Sequence, residues 1–257
     1  MKNLFYTEEV EGTHRIIRFC GIKLKFRLSQ KEREEKRGNK FILHKENGEI
    51  VEFPQIDGLD VVFKGQNCTV EIFEPCNFKK ESWHQSRIEM EGENHFARIK
   101  GSKYGIARLE ANFRGGGKTS LLVGENFYLT GHVRFDIESE GCCSIKIGDD
   151  CMFADGINFL GTDRHTIYDI SDKKNINLTK YGITVGNHVW VARNVVVLKD
   201  VTIPDNTVVG IGSIVTKSFD EENTIIGGVP AKVLRRGVNW DRRKQTEYLK
   251  SLEDTGL

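Results

Sequence analysis

The chain has 257 residues, with 38 Lys and Arg against 37 Asp and Glu, 26 glycines, 4 prolines and 6 cysteines. That length suits one large domain, or one domain with a small appendage, and such balanced charge excludes bulk attraction to nucleic acid or to an anionic membrane surface. No run of about 18 apolar residues predicts a transmembrane helix, and the opening MKNLFYTEEVEGTHR has no apolar stretch of signal-peptide length.

Residues 1–58 form a first segment. Within it, SQKEREEKR over 29–37 predicts a short charged helix or a solvated linker, and FILHKENGEIVEF over 41–53 alternates about Asn47-Gly48, a strong hairpin signal. From 59 a loose repeat begins. Val70, Ile88 and Ile106 lie 18 apart, as do Ile72 and Met90, which predicts early, irregular coils. FRGGGKT over 113–119 looks like a phosphate loop by eye. Gly115, Gly116 and Gly117 directly precede Lys118, which breaks the G-x-x-x-x-G-K-[ST] spacing, so a turn between coils is expected.

The rhythm then becomes strict. Val123, Leu129, Phe135, Ile147, Phe153 and Phe159 share a six-residue register, with Gly141 in the empty slot. It returns as Val185, Val191, Val197, Ile203, Val209 and Val215, with Val189, Val195, Val201, Thr207, Ser213 and Phe219 four residues after each. Six is neither the strand period nor the helix period. It marks a parallel β-helix, in which three hexapeptides make a coil, residues 18 apart stack, and β-branched side chains fill a triangular prism. Phe159 and Val185 are 26 residues apart, which is not a multiple of six, so the segment 160–182 must leave the prism as a loop. The tail, 238–257, places Trp240, Tyr248, Leu249 and Leu252 for a helix that packs one face. The six cysteines lack C-x-x-C spacing, with Cys142 and Cys143 adjacent and the rest scattered, and read as free buried thiols of a cytoplasmic protein.

The stretch ITVGNHVWVARNVVVLKDVTIPDNTVVGIGSIVTKSF, closed by GGVPAKVLRR, resembles the hexapeptide-repeat acyltransferases, and the resemblance covers about residues 123–236. The loop GTDRHTIYD, with Thr162, Asp163, His165, Ile167 and Asp169, is similar to the Ser/Thr-Asp-x-His-x-Ile-x-Asp motif of the capsular-polysaccharide and sialic-acid O-acetyltransferases. The resemblance implies an all-β, left-handed parallel β-helix over 59–237, acetyl-CoA as donor and no metal. It also implies a surface-glycan hydroxyl as acceptor and a homotrimer with active sites between neighbouring subunits.

Acetyl transfer from a thioester to an alcohol needs a base, donors for the oxyanion, and a pocket for a long anionic co-substrate. His165 matches the family's catalytic histidine, and histidine titrates nearest neutrality. Asp163 or Asp169 is a candidate to hold its other ring nitrogen, as is a backbone carbonyl, and either aspartate equally forms local turns. Trp190 points outward, and the resemblance lays it against the acetyl and pantetheine end of the co-substrate. Gly210, Ile211, Gly212 and Ser213 let a pantetheine arm approach the backbone. Arg193 stands where some relatives have serine and is in reach of a phosphate. Lys217, Lys232, Arg235 and Arg236 lie where relatives hold the phosphate end, and Pro230 stiffens the closing turn. No cysteine matches a motif position, which disfavours a covalent acetyl-enzyme.

Three alternatives remain. An amino-sugar N-acetyltransferase often carries an N-terminal domain of alternating strands and helices, a pattern that 1–60 lacks. A zinc enzyme like the γ-type carbonic anhydrases would use His132, His165 and His188, which lack that group's repeated Gly-His spacing. A non-catalytic scaffold would have no need of His165, Trp190 and GVPAK together.

Overall fold

The computed structural model describes residues 6–19, 22–80, 85–138 and 143–255. The fold is all-β, a left-handed parallel β-helix with an extruded loop, irregular N-terminal coils and a C-terminal helix. Its strands are short because each repeat offers one inward aliphatic and then has to turn. At one corner the turn residues are Asn126, Asp150, His188, Asn206 and Asn223, with φ of 55°, 56°, 51°, 56° and 57°. Short polar side chains tolerate that left-handed region best. At another corner only glycine fits: a Cβ on Gly92 would lie 1.8 Å from the Gly115 carbonyl oxygen, and one on Gly65 1.8 Å from that of Gly92.

The first face of the prism is a parallel ladder of Thr202–Ile203, Ile183–Val185, Ser144–Ile147, Ser120–Val123, Phe96–Ile99, Thr69–Phe73 and Lys40–His44. The long strands Gly105–Arg114 and Tyr128–Glu138 run round a corner and join the other two faces. Beyond Tyr128–Glu138, the second face continues through Met152–Phe153, Trp190–Val191 and Val208–Val209. The third continues through Ile157–Leu160, Val196–Leu198 and Ile214–Val215. Val185, Val191, Val197, Ile203, Val209 and Val215 are all buried inside. Upstream the interior widens to hold Phe127, Phe135, Phe153 and Phe159, with Phe135 stacked on Phe159 at 5.0 Å and Phe127 edge-on to Phe153 at 5.0 Å.

The stacking interval corrects one expectation. Residues 18 apart pair only in the last coils, as in Thr184 with Thr202 and Trp190 with Val208. Upstream, Val123 pairs with Ile147, Leu129 with Phe153 and Phe135 with Phe159, an interval of 24. Val70 pairs with Phe41 and Ala97 in one sheet, and Ile88 with Val61 and Ala111 in another, so Val70, Ile88 and Ile106 do not stack on one another. Coils of 24 fit because hydrogen bonding fixes the spacing between rungs, roughly 4.8 Å, while corners absorb extra residues. Gly141, the expected empty slot, lies outside the described residues. Phe159 pairs with Val197, 38 residues on, which is one 18-residue coil plus a 20-residue excursion, as expected for the loop.

At the N-terminal end Lys40–His44 pairs antiparallel with Ile50–Glu52 around Gly48 (φ 85°), the expected hairpin, and is also the first parallel rung. The parallel ladder therefore begins upstream of residue 59. Helix Gln30–Lys36 forms behind a capping box, with Ser29 N–H donating to Glu32 at 2.9 Å and Glu32 N–H to Ser29 Oγ at 3.2 Å. Strands Tyr6–Glu11, His14–Phe19 and Ile22–Arg27 make a separate antiparallel sheet that the sequence reading did not place. The tail helix is shorter than expected, Gln245–Thr255. Its Tyr248 and Leu249 stay exposed, while Trp240, in the irregular strap before it, is buried. No helix among the described residues is long and apolar enough to cross a membrane.

Candidate active site

The loop leaves the prism at the corner between the third and first faces and is cinched at its base. Thr179 Oγ1 donates to the Gly161 carbonyl at 2.9 Å. The Asp200 carboxylate accepts the N–H groups of Lys180, Tyr181 and Gly182 at 2.9, 2.7 and 3.1 Å. Inside the loop Asn177 is the hub. Its amide donates to Asp163 Oδ2 at 2.9 Å and to the His165 carbonyl at 2.8 Å, and its oxygen accepts from Ile167 N–H at 2.8 Å. Lys199 donates to Asp163 at 2.5 Å and also to the Asn177 carbonyl. Arg164, at φ 62°, reaches back to Glu138 at 3.1 Å and Asp136 at 3.4 Å. The backbone on both sides of His165 is thus held, while among the described residues no group hydrogen-bonds its exposed ring.

Neither predicted helper reaches that ring within one chain. Partial burial pushes the Asp163 carboxyl upward, but the Lys199 ammonium and the Asn177 amide outweigh it and hold the group below the usual carboxylate range. Asp169 accepts from Ser171 N–H at 2.8 Å and from its hydroxyl at 2.5 Å, forming a local turn. Asn177, Lys199 and Asp200 brace the loop through contacts that sequence reasoning missed. Lys199 and Asp200 sit inside the regular repeat VVVLKDVTI, where outward polar residues carry no mark of a role.

Trp190 lies on the second face between Met152 and Val208 and is 36% exposed. One of its flanks is taken by the tail strap, with Trp240 6.2 Å away. The strap is anchored by Trp240 Nε1 donating to the His188 carbonyl at 2.7 Å and stacking on its ring at 4.2 Å. Arg242 donates to Asp150 at 2.7 Å and lies 4.1 Å over Tyr104. His188 is occupied by Asp150 at 2.7 Å and the Trp240 carbonyl at 3.0 Å, and His132 contacts Glu110 at 3.3 Å. With His165 out on the loop, the three histidines of the zinc reading do not converge within one chain.

The glycine-rich corner forms as a unit. Ser213 Oγ donates to the Gly210 carbonyl at 2.6 Å and accepts from Gly228 N–H at 3.2 Å, and Gly212 N–H donates to the Arg193 carbonyl at 2.9 Å. Ile211 and Val229 project beside it, 69% and 68% exposed. Lys232 is paired in register with Gly227, and Arg235 with Ile225; neither makes an ion pair among the described residues. Arg236 is bound to Glu221, and Lys217 sits over Phe219 at 6.0 Å, close to the corner that carries the loop. The structure therefore brings Arg193, Gly210, Ile211, Gly212, Ser213 and Lys232 to one corner. Asp163 and His165 belong to another, and His165 does not meet Trp190 within one chain. The backbone-lined corner and its free cations fit a long anionic co-substrate.

Burial pushes the Cys143 thiol up to about 11 and that of Cys151 to about 12, so neither is a ready nucleophile. Cys68 is also buried and Cys76 partly so; Cys20 and Cys142 lie outside the described residues.

No family profile matches the chain. Its regular half is similar to a galactoside O-acetyltransferase of Escherichia coli (strain K12), 33% identical over 46% of this chain and 54% of that protein. It is also similar to polysialic acid O-acetyltransferases of E. coli O1:K1 (35% identical, 42% of this chain, 34% of that protein) and Neisseria meningitidis (46% identical, 38% and 46%). The chain thus matches about half the length, or less, of these curated relatives. In fold the likeness is broader. The solved polySia-specific acetyltransferase NeuO superposes with a TM-score of 0.65 at 25% identity, over 86% of this chain and 88% of that one. The polysialic acid O-acetyltransferase OatWY gives 0.58 at 27%, over 84% and 95%. In sequence over the regular half, and in fold over most of its length, the chain is similar to these hexapeptide-repeat O-acetyltransferases.

Proposed function

We propose that this protein is an acetyl-CoA-dependent O-acetyltransferase that modifies a hydroxyl of a surface-glycan sugar, working in the cytoplasm as a homotrimer. The observation that carries the reading is His165, a histidine with an unengaged ring on a loop whose backbone is pinned by Asn177, Asp163 and Lys199. Acetyl-CoA supplies the activated acetyl group. Gly210, Gly212 and Ser213 approach its pantetheine arm, Trp190 covers its acetyl end, and Lys232 and Arg235 face its phosphates. His165 takes the proton of the acceptor hydroxyl, the oxygen bonds to the acetyl carbon, the carbon–sulfur bond breaks, and the protonated His165 returns the proton to the departing thiolate. Asp163 serves as a positioning residue.

Two observations support the homotrimer in this reading. His165 and Trp190 occupy different corners, so a neighbouring chain is needed to complete one site. The loop also leaves Ile167, Tyr168, Ile170, Ile176, Leu178 and Tyr181 at least half exposed, an apolar surface that a second copy would cover.

The test is coenzyme A release, followed with a thiol reagent, with acetyl-CoA and a panel of glycan acceptors. His165→Ala should lower acceptor-dependent release by about 10²- to 10⁴-fold. Unchanged release in the variant would refute the base assignment, and no release with no coenzyme A binding would refute the enzyme.

A further inference from the structure

The antiparallel sheet of Tyr6–Glu11, His14–Phe19 and Ile22–Arg27 has two open edges. Among the described residues, Tyr6–Glu11 and Ile22–Arg27 each pair with His14–Phe19 and with no other strand. An edge strand is a template for a further strand. The two edges carry opposite charge. Tyr6–Glu11 has Glu8, Glu9 and Glu11 and no Lys or Arg, whereas Ile22–Arg27 has Lys23, Lys25 and Arg27 and no Asp or Glu.

The register sorts these side chains by face. Directly opposite residues share a face, so Glu11, His14 and Arg27 form one row, and Glu9, Ile16 and Lys25 the next. In each row the acid stands at one edge of the sheet and the cation at the other. Ile22, Leu24 and Phe26 alternate with the cations, lie on the reverse face and are exposed, as is Val10 in the row of Phe26. Glu8 meets Arg15 at 3.1 Å and Glu9 meets Arg18, both on the middle strand. Lys23, Lys25 and Arg27 are exposed and make no ion pair among the described residues.

Lysines on an edge ordinarily keep a second sheet away. Here they repel only their own kind. Ile22–Arg27 against its own copy sets cation against cation, and Tyr6–Glu11 against its own copy sets acid against acid. Ile22–Arg27 of one copy against Tyr6–Glu11 of the next sets cation against acid and continues the apolar face from sheet to sheet. That contact joins two different surfaces, so it is heterologous and closes as a ring. The edge strands also run in the same direction, both antiparallel to His14–Phe19, which suits a rotation axis along the strands. An anionic lipid surface would answer the cations of one edge and repel the acids of the other, whereas a second copy answers both.

We propose that the basic edge Ile22–Arg27 docks on the acidic edge Tyr6–Glu11 of a second copy, so that the N-terminal sheets of the homotrimer join head to tail. The inference rests on the self-association in the reading above and not on its acetyl chemistry.

The test is carbodiimide cross-linking, which condenses a carboxylate with an adjacent amine. It uses the full chain as an equal mixture of unlabelled and nitrogen-15-labelled protein after subunit exchange. Peptides carrying Glu9 or Glu11 should be joined to peptides carrying Lys23 or Lys25, in pairs of one light and one heavy member. Lys23→Glu with Lys25→Glu, and Glu9→Lys with Glu11→Lys, should each weaken association about tenfold in sedimentation. A chain with all four changes should regain the wild-type value, which a fold damaged by the substitutions would not do. Cross-links confined to one isotope, with the trimer intact, would overturn the docking and leave the trimer standing, whereas a wild-type monomer would overturn both. Failure of the fourfold variant to regain association would overturn the pairing of edges. Co-sedimentation with phosphatidylglycerol vesicles, abolished by Lys23→Glu with Lys25→Glu and without mixed-isotope links, would give the edge to a lipid surface and overturn it as well.

Discussion

At the scale of single residues, the loop turns on Lys199. Its ammonium bridges the Asp163 carboxylate and the Asn177 carbonyl, and Asn177 in turn holds the His165 carbonyl. Lys199→Met should therefore loosen the loop without unfolding the prism. An ion pair with an exposed partner is worth about 0–1 kcal/mol, so the melting temperature should move by no more than a few degrees, at roughly 2–4 °C per kcal/mol for a chain of this size. Chymotryptic cleavage at Tyr168 should accelerate, and transfer should fall at least tenfold, mainly in kcat. Slow cleavage with unchanged transfer would remove Lys199 from the site. The pH dependence has a definite sign. The folded Asp163 carboxyl lies below its ordinary value, near 3.9 in unfolded chains. Its anchor is thus complete above about pH 5 and is lost as pH falls through the lowered folded value. Across neutral pH the loop's tether does not titrate.

At the scale of elements, the interior is filled by aliphatics in the narrow coils and by phenylalanines in the wide ones. Phe153 sits 5.4 Å from Phe159 and 5.0 Å from Phe127, fully buried. Phe153→Ala should cost about 3–5 kcal/mol, through lost transfer energy and the cavity left behind, read as a fall in the denaturation midpoint. A loss below 1 kcal/mol would mean that the wide coils collapse onto the gap. The tail follows a different logic. Its strap binds through Trp240 and Arg242, whereas its helix keeps Tyr248 and Leu249 exposed, so the strap, not the helix, fixes the tail to the face beside Trp190.

At the scale of the whole molecule, the proposed site needs residues from two chains. His165 and Trp190 stand on different corners of the prism, and the loop between the last coils exposes large apolar side chains, Ile170 at 83% and Tyr181 at 80%. The protein is expected to sediment as a trimer. Ile170→Asp should shift it to lower mass and abolish transfer while the far-ultraviolet circular dichroism holds. A wild-type monomer that is active would refute the shared site.

The sequence by itself determined the prism. A six-residue period of β-branched residues has one economical solution, and the 26-residue gap to Val185 announced the loop, because both depend on spacing along the chain. His165 and Trp190 stood out for the residues around them. The size of the early coils was decided only in three dimensions. A repeat of 24 is as compatible with a six-residue rhythm as one of 18, and corners take up extra residues without a signal in composition. The supports of His165 were also hidden, since Lys199 lies 36 residues from Asp163 and meets it only because one coil stacks on the next. Residues from separate rungs share a corner through the hydrogen-bonded register of the sheet, and no local pattern in the chain records that neighbourhood.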